Sequence, residues 1–98
     1  MILNTKLLKN FIGLKDYNSS QSVTANSEAN FIFNNINISG YDVLGFAFID
    51  TDNYMDVMKS SIYSNNAYIR VKNTTNSNKT VNCTIRVIYL KKDIINNL

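Results

Sequence analysis

Three of the six aspartates, Asp50, Asp52 and Asp56, fall within seven residues, with Asn53 among them. A calcium loop needs several oxygen ligands on a tightly turning backbone, a glycine at the sharp turn and a late bidentate acid. Counted from Asp50, the glycine position holds Met55 and the last-ligand position holds Ser61. The spacing fails as an EF-hand. A solvated loop is the expected reading, a looser calcium site the weaker alternative, and no metal is assigned.

General acid–base and nucleophilic chemistry draws mostly on His, Cys, Asp, Glu or Lys held in a pocket. Histidine is absent, Glu28 is the only glutamate, and three scattered glycines cannot build a phosphate-cradling loop. The one cysteine, Cys83, sits between Val81 and Ile85 on an alternating face, where a free thiol behaves as a small buried hydrophobe. It has no partner for an intrachain disulfide. The expectation is a non-enzymatic protein with no catalytic residue and no cofactor.

Surface recognition is the chemistry that remains. Tyr17, Tyr54, Tyr63 and Tyr68 lie among Asn and Ser, an environment in which rings stack on sugars while amides bind hydroxyls. They also fit ordinary strand tyrosines, half-buried with the hydroxyl in water. Tyr54 and Tyr68 are the candidate surface-binding residues. Asn-x-Ser/Thr triplets at Asn18, Asn37, Asn73, Asn78 and Asn82 are expected by chance in so Asn-, Ser- and Thr-rich a chain.

These side chains must be positioned by a single small domain. A chain of 98 residues supports one core, burying roughly 60–70% of the surface its unfolded form exposes. Hydrophobic residues at 45% can fill that core, and charged residues at 17% are too few for a disordered chain. The excess of Asn, Ile and Lys matches the codon bias of an AT-rich genome. The net charge of +3 comes mainly from scattered lysines, with only Arg70 and Arg86 able to make bidentate contacts. Nucleic-acid binding calls for a concentrated basic stripe, so no nucleic-acid partner is expected. No run reaches the roughly 18–20 apolar residues of a membrane span, so no membrane insertion is expected. The first thirteen residues fail as a signal peptide, because Asn and Lys interrupt the apolar region.

Leu3, Leu7, Leu8 and Phe11 recur at helical spacing, predicting a short helix over residues 3–14 that ends near Gly13. Such a helix covers the domain's own sheet or docks on a partner. From Tyr17 the period becomes two. An edge strand over 16–24 puts Tyr17, Ser19, Gln21 and Val23 on one side, and Ala29, Phe31 and Phe33 alternate in a half-buried strand. Tyr41 to Ile49 reads as a strand buried on both faces, with Gly45 marking a bulge. Tyr54–Met58 and Ser60–Tyr63 form two short strands or one bent strand, and Asn65-Asn66 forms a tight hairpin turn. Ala67, Ile69 and Val71 face in, while Tyr68, Arg70 and Lys72 face out. Val81, Cys83, Ile85, Val87 and Tyr89 share one face of the last strand. The predicted fold is all-β: a small, jelly-roll-like β-sandwich of about seven antiparallel strands. Residues 1–15 form a helical or extended arm and residues 16–98 the β-domain.

Three segments carry a family resemblance: Ser22-Val23-Thr24-Ala25-Asn26-Ser27 with the alternating Ala29 to Phe33; Ile38-Ser39-Gly40-Tyr41-Asp42-Val43-Leu44-Gly45; and Ala67 to Asn73 with the closing Val81 to Lys92. Over residues 17–92 this succession resembles small β-sandwich domains of tailed bacteriophages, found in head fibres, tail fibres and baseplates. The resemblance implies a virion structural protein, assembled in the host bacterial cytoplasm. It implies a homotrimer whose partners are capsid or tail proteins, with a host surface glycan as a further partner. The chain lacks a long fibre shaft, which implies a knob, decoration subunit or adaptor. Leu3, Leu7, Leu8 and Phe11 are then the candidate docking or oligomer contacts. A free carbohydrate-binding module is the alternative function.

Overall fold

The computed structural model of the protein describes residues 11–92. Among these lie six strands and no α-helix: β1 (Ile12–Val23), β2 (Glu28–Phe33), β3 (Tyr41–Thr51), β4 (Met55–Tyr63), β5 (Asn66–Asn73) and β6 (Lys79–Lys91). They pair into two antiparallel sheets of three strands. Sheet A has the order β1-β6-β3 and sheet B the order β2-β5-β4.

The central strands carry the clearest alternation because each is flanked on both edges and buries one whole face. Val81, Cys83, Ile85, Val87 and Tyr89 of β6 are buried, as are Ala67, Ile69 and Val71 of β5. Val23, Phe31, Phe33, Ile36 and Met55 join them in one core that draws on both sheets. Each fully buried aliphatic side chain contributes on the order of 1.5–3 kcal/mol relative to exposure. Tyr89 brings a hydroxyl into this core, and the β2–β3 connection satisfies it. It donates to the Ile36 carbonyl at 2.5 Å and shares a hydrogen bond of 2.6 Å with the Tyr17 hydroxyl. Burial is the main reason its phenol is held well above the usual tyrosine range.

Several expectations change at the edges. Ile12, Gly13 and Leu14 are not the end of a helix but the start of β1, paired with Leu90, Tyr89 and Ile88. An alternating partner strand outweighs the fourfold spacing there. Leu3, Leu7 and Leu8 lie outside the described residues. Six strands stand where about seven are predicted, because Met55 to Tyr63 is one strand with a bulge between Val57 and Lys59. β3 is not buried on both faces: it is an edge strand, and Leu44 is 54% exposed. The bulge expected at Gly45 is present, with φ of 150° and a register shift from Val43. The hairpin turn falls one residue earlier than predicted, at Ser64-Asn65, both in the left-handed region that such two-residue turns require.

Asn73, at the end of β5, is the one fully buried polar side chain among the described residues. Its amide donates to the carbonyls of Val23 at 3.0 Å and Ser77 at 2.9 Å. Its Oδ1 accepts from the Thr75 amide at 2.9 Å and the Thr75 hydroxyl at 2.7 Å. One side chain thus ties the end of β1 to the loop before β6. Truncating it strands several partners at once, each costing about 1–3 kcal/mol when left unpaired in the interior. Asn73→Ala should lower the free energy of unfolding in urea by about 3 kcal/mol. A loss below about 1 kcal/mol would show that this amide does not organise the loop.

Candidate functional site

The outward faces of the two sheets differ in chemistry. On sheet A, Ile12 stands opposite Leu90 and Leu14 opposite Ile88. Across the other edge of β6, Ile88 meets Gly45, with Leu44 left over in the bulge, and Arg86 meets Phe48. Leu14, Leu44 and Phe48 are 58%, 54% and 37% exposed. Apart from Asp42, which stands opposite Leu90 at the β3 edge, this half of the face is apolar, although an antiparallel sheet with a solvated face normally turns polar residues outward.

The other half follows the rule. The Thr84 hydroxyl donates to Asn18 Oδ1 at 2.5 Å, and the Ser20 hydroxyl donates to Asn82 Oδ1. Arg86 marks the boundary. Its guanidinium lies 4.5 Å from the centre of the Phe48 ring and grips Asp16 through two bonds of 2.7 and 3.1 Å. That guanidinium holds the Asp16 carboxyl below its ordinary range. β1 begins and β6 ends at the apolar end. Phe11, the last member of the proposed docking stripe, is buried, and its carbonyl accepts from the Lys91 amide at 2.8 Å.

On sheet B the outward side chains line up in rungs. Glu28, Lys72 and Asp56 make one; Asn30, Arg70 and Lys59 the next; Ile32, Tyr68 and Ser61 the third. The first alternates in charge. The second sets two cations directly opposite each other, an arrangement that costs stability in a sheet. The β4 bulge is responsible: Val57 pairs with Val71, Met58 is the extra residue, and Lys59 is thereby aimed at Arg70. Asn30, Lys59, Ser61, Tyr68 and Arg70 line a cleft of about 250 Å³. Within it, Arg70 Nε donates to Asn30 Oδ1 at 3.2 Å, and Asn66 Nδ2 donates to the Tyr68 hydroxyl at 3.3 Å.

Of the two candidate tyrosines, only Tyr68 lines this cleft. Tyr54 packs against the core, and its hydroxyl lies 3.3 Å from both Asp52 Oδ2 and the Thr80 carbonyl. Burial, and then the Asp52 carboxylate, raise its phenol above the usual range. The same Asp52 oxygen accepts the Asn82 amide at 3.0 Å, so the acidic run at 50–56 serves in part to tie loop to strand. Among the described residues no three His, Cys, Asp or Glu side chains gather as a metal cluster. Asn30, Lys59 and Ser61 escape a reading of spacing. Arg70 and Tyr68 are visibly outward, but the bulge that brings Lys59 beside Arg70 has no local signature.

Cys83 is fully buried, and burial pushes its thiol from 9.0 up to about 11. The folded protein keeps this thiol protonated where the unfolded chain would ionise it, so its contribution to stability is complete below about pH 9 and is lost between about pH 9 and 11. Ellman's reagent at pH 8 should leave Cys83 untouched in the native protein and modify it at once in denaturant. Rapid modification of the native protein would contradict this placement.

Comparison with known proteins finds no matching family model, no matching curated protein and no matching solved structure, so function rests on the two faces described above.

Proposed function

We propose that this chain is a non-enzymatic structural subunit that assembles with copies of itself, in the setting its resemblance implies: a small head-fibre or tail-associated protein of a bacteriophage virion. The two sheets form a small β-sandwich in which sheet A is the assembly side and sheet B the displayed side. The observation that carries this reading is the apolar half-face of Leu14, Leu44, Phe48 and Ile88, bordered by Asp42 and exposed among the described residues on an otherwise hydrogen-bonded polar sheet. A second copy is its occupant. β3, at the edge of the same sheet among the described residues, has no neighbouring strand there on its outer side, and long apolar edges of this kind are covered in stable assemblies. In the homotrimer that the resemblance implies, three such faces meet. Leu3, Leu7 and Leu8 extend the contact or reach the capsid or tail partner.

Carbohydrate binding is a second reading, favoured by the half-buried Tyr68 ring in a cleft with amide and hydroxyl neighbours. It is compatible with the first, since the cleft lies on the displayed sheet.

Light scattering on the purified protein should give a mass three times the 11.1 kDa of the chain. Leu14→Glu combined with Leu44→Glu should yield a folded monomer, because both side chains are already half-exposed and the core is untouched. A wild-type monomer at high concentration would overturn self-assembly. Removing residues 1–10 should leave the β-domain folded but absent from particles, whereas retained incorporation would remove the docking role of Leu3, Leu7 and Leu8.

A further inference from the structure

We propose that the cleft on sheet B binds a carboxylate-bearing sugar, with the acid group between Arg70 and Lys59 and the ring over Tyr68. The inference rests on the carbohydrate reading of that cleft and adds the class of sugar. Its basis is the uncompensated pair of cations. Lys72, one rung away, stands between Glu28 and Asp56, but the cleft contains no carboxylate at all. Among the described residues the only ion pair is Arg86 with Asp16, on the other sheet. Lys59 is brought opposite Arg70 by a bulge, a device that re-aims side chains beside functional sites at some cost to the ladder.

The geometry then orders the ligand. Arg70 Nε is held by Asn30 Oδ1 at 3.2 Å, which orients the guanidinium and leaves its outer N–H groups for a carboxylate. Tyr68 lies two residues along β5, about 6.6–6.8 Å in an extended strand. A carboxyl carbon about 3 Å from the pyranose centre, followed by a charge-assisted bond of about 2.8 Å, spans a comparable distance from a ring stacked on Tyr68 to the Arg70 guanidinium. Ser61, opposite Tyr68, and the Asn30 amide supply hydrogen bonds for ring hydroxyls. A bare anion would use the two cations and leave the tyrosine idle, while a neutral sugar would use the tyrosine and leave the like charges facing each other.

The test is an NMR titration of the full chain with sialyllactose, oligogalacturonate, lactose and inorganic phosphate, each at low and high salt. The two acidic sugars should shift the amides of Asn30, Lys59, Ser61, Tyr68 and Arg70, more weakly at high salt. Arg70→Gln, Lys59→Gln and Tyr68→Ala should each weaken binding about tenfold with the fold retained, as expected for loss of one charge-assisted contact or one ring face. Lactose binding as tightly as the acidic sugars would overturn the charge assignment and leave the carbohydrate reading standing. Phosphate matching the sugars would reduce the cleft to a simple anion site. No shift with any sugar would overturn both readings.

Discussion

Everything in this domain depends on two central strands that each bury one face against the other sheet. β6 contributes an unbroken inner row from Val81 to Tyr89, and β5 contributes Ala67, Ile69 and Val71. A one-residue slip in either would turn the whole apolar row to solvent, so the register of all six strands is tied to these two. Once it is set, the outward residues of β5 and β6 are also determined. Arg70 and Tyr68 must line sheet B, and Ile88 and Arg86 must line sheet A. The proposed interaction faces are the reverse side of the core.

Strict alternation made much of this legible in advance. The buried row of β6, the inward row of β5 and the polar β1 are where their spacing puts them. Gly45 marks its bulge because a backbone at φ of 150° strongly favours glycine. What escaped the sequence reading is information that only pairing supplies. Ile12 to Leu14 continue a helical spacing on paper, yet β6 offers them a partner strand. β3 is rich enough in apolar residues to suggest a central strand, yet it lies at an edge. The β4 bulge, which sets Lys59 against Arg70, depends on register with β5 and leaves no mark in β4 alone.

The asparagines follow the same lesson. Their abundance fits codon bias, but the fold uses many of them. Asn26 and Asn65 occupy left-handed positions in turns, and Asn35 one in the β2–β3 connection. Asn78 accepts the Ala25 amide, Asn37 donates to Asn65, and Asn73 is the buried hub of the β5–β6 loop. With no proline and three glycines, the chain has few other residues for tight turns. A biased composition has therefore been put to structural use. Among the described residues, the resulting loops are held by short amide contacts.

The proposed division between a held sheet A and a displayed sheet B is tested most directly by solvent paramagnetic relaxation of methyl groups in the assembled protein. The methyls of Leu14, Leu44 and Ile88 on sheet A should be shielded from a soluble relaxation agent. Ile32, which is 51% exposed on the outer face of sheet B, should remain accessible in the same sample. If Leu14 and Leu44 relax as fast as Ile32, sheet A is not the assembly surface and the central claim fails.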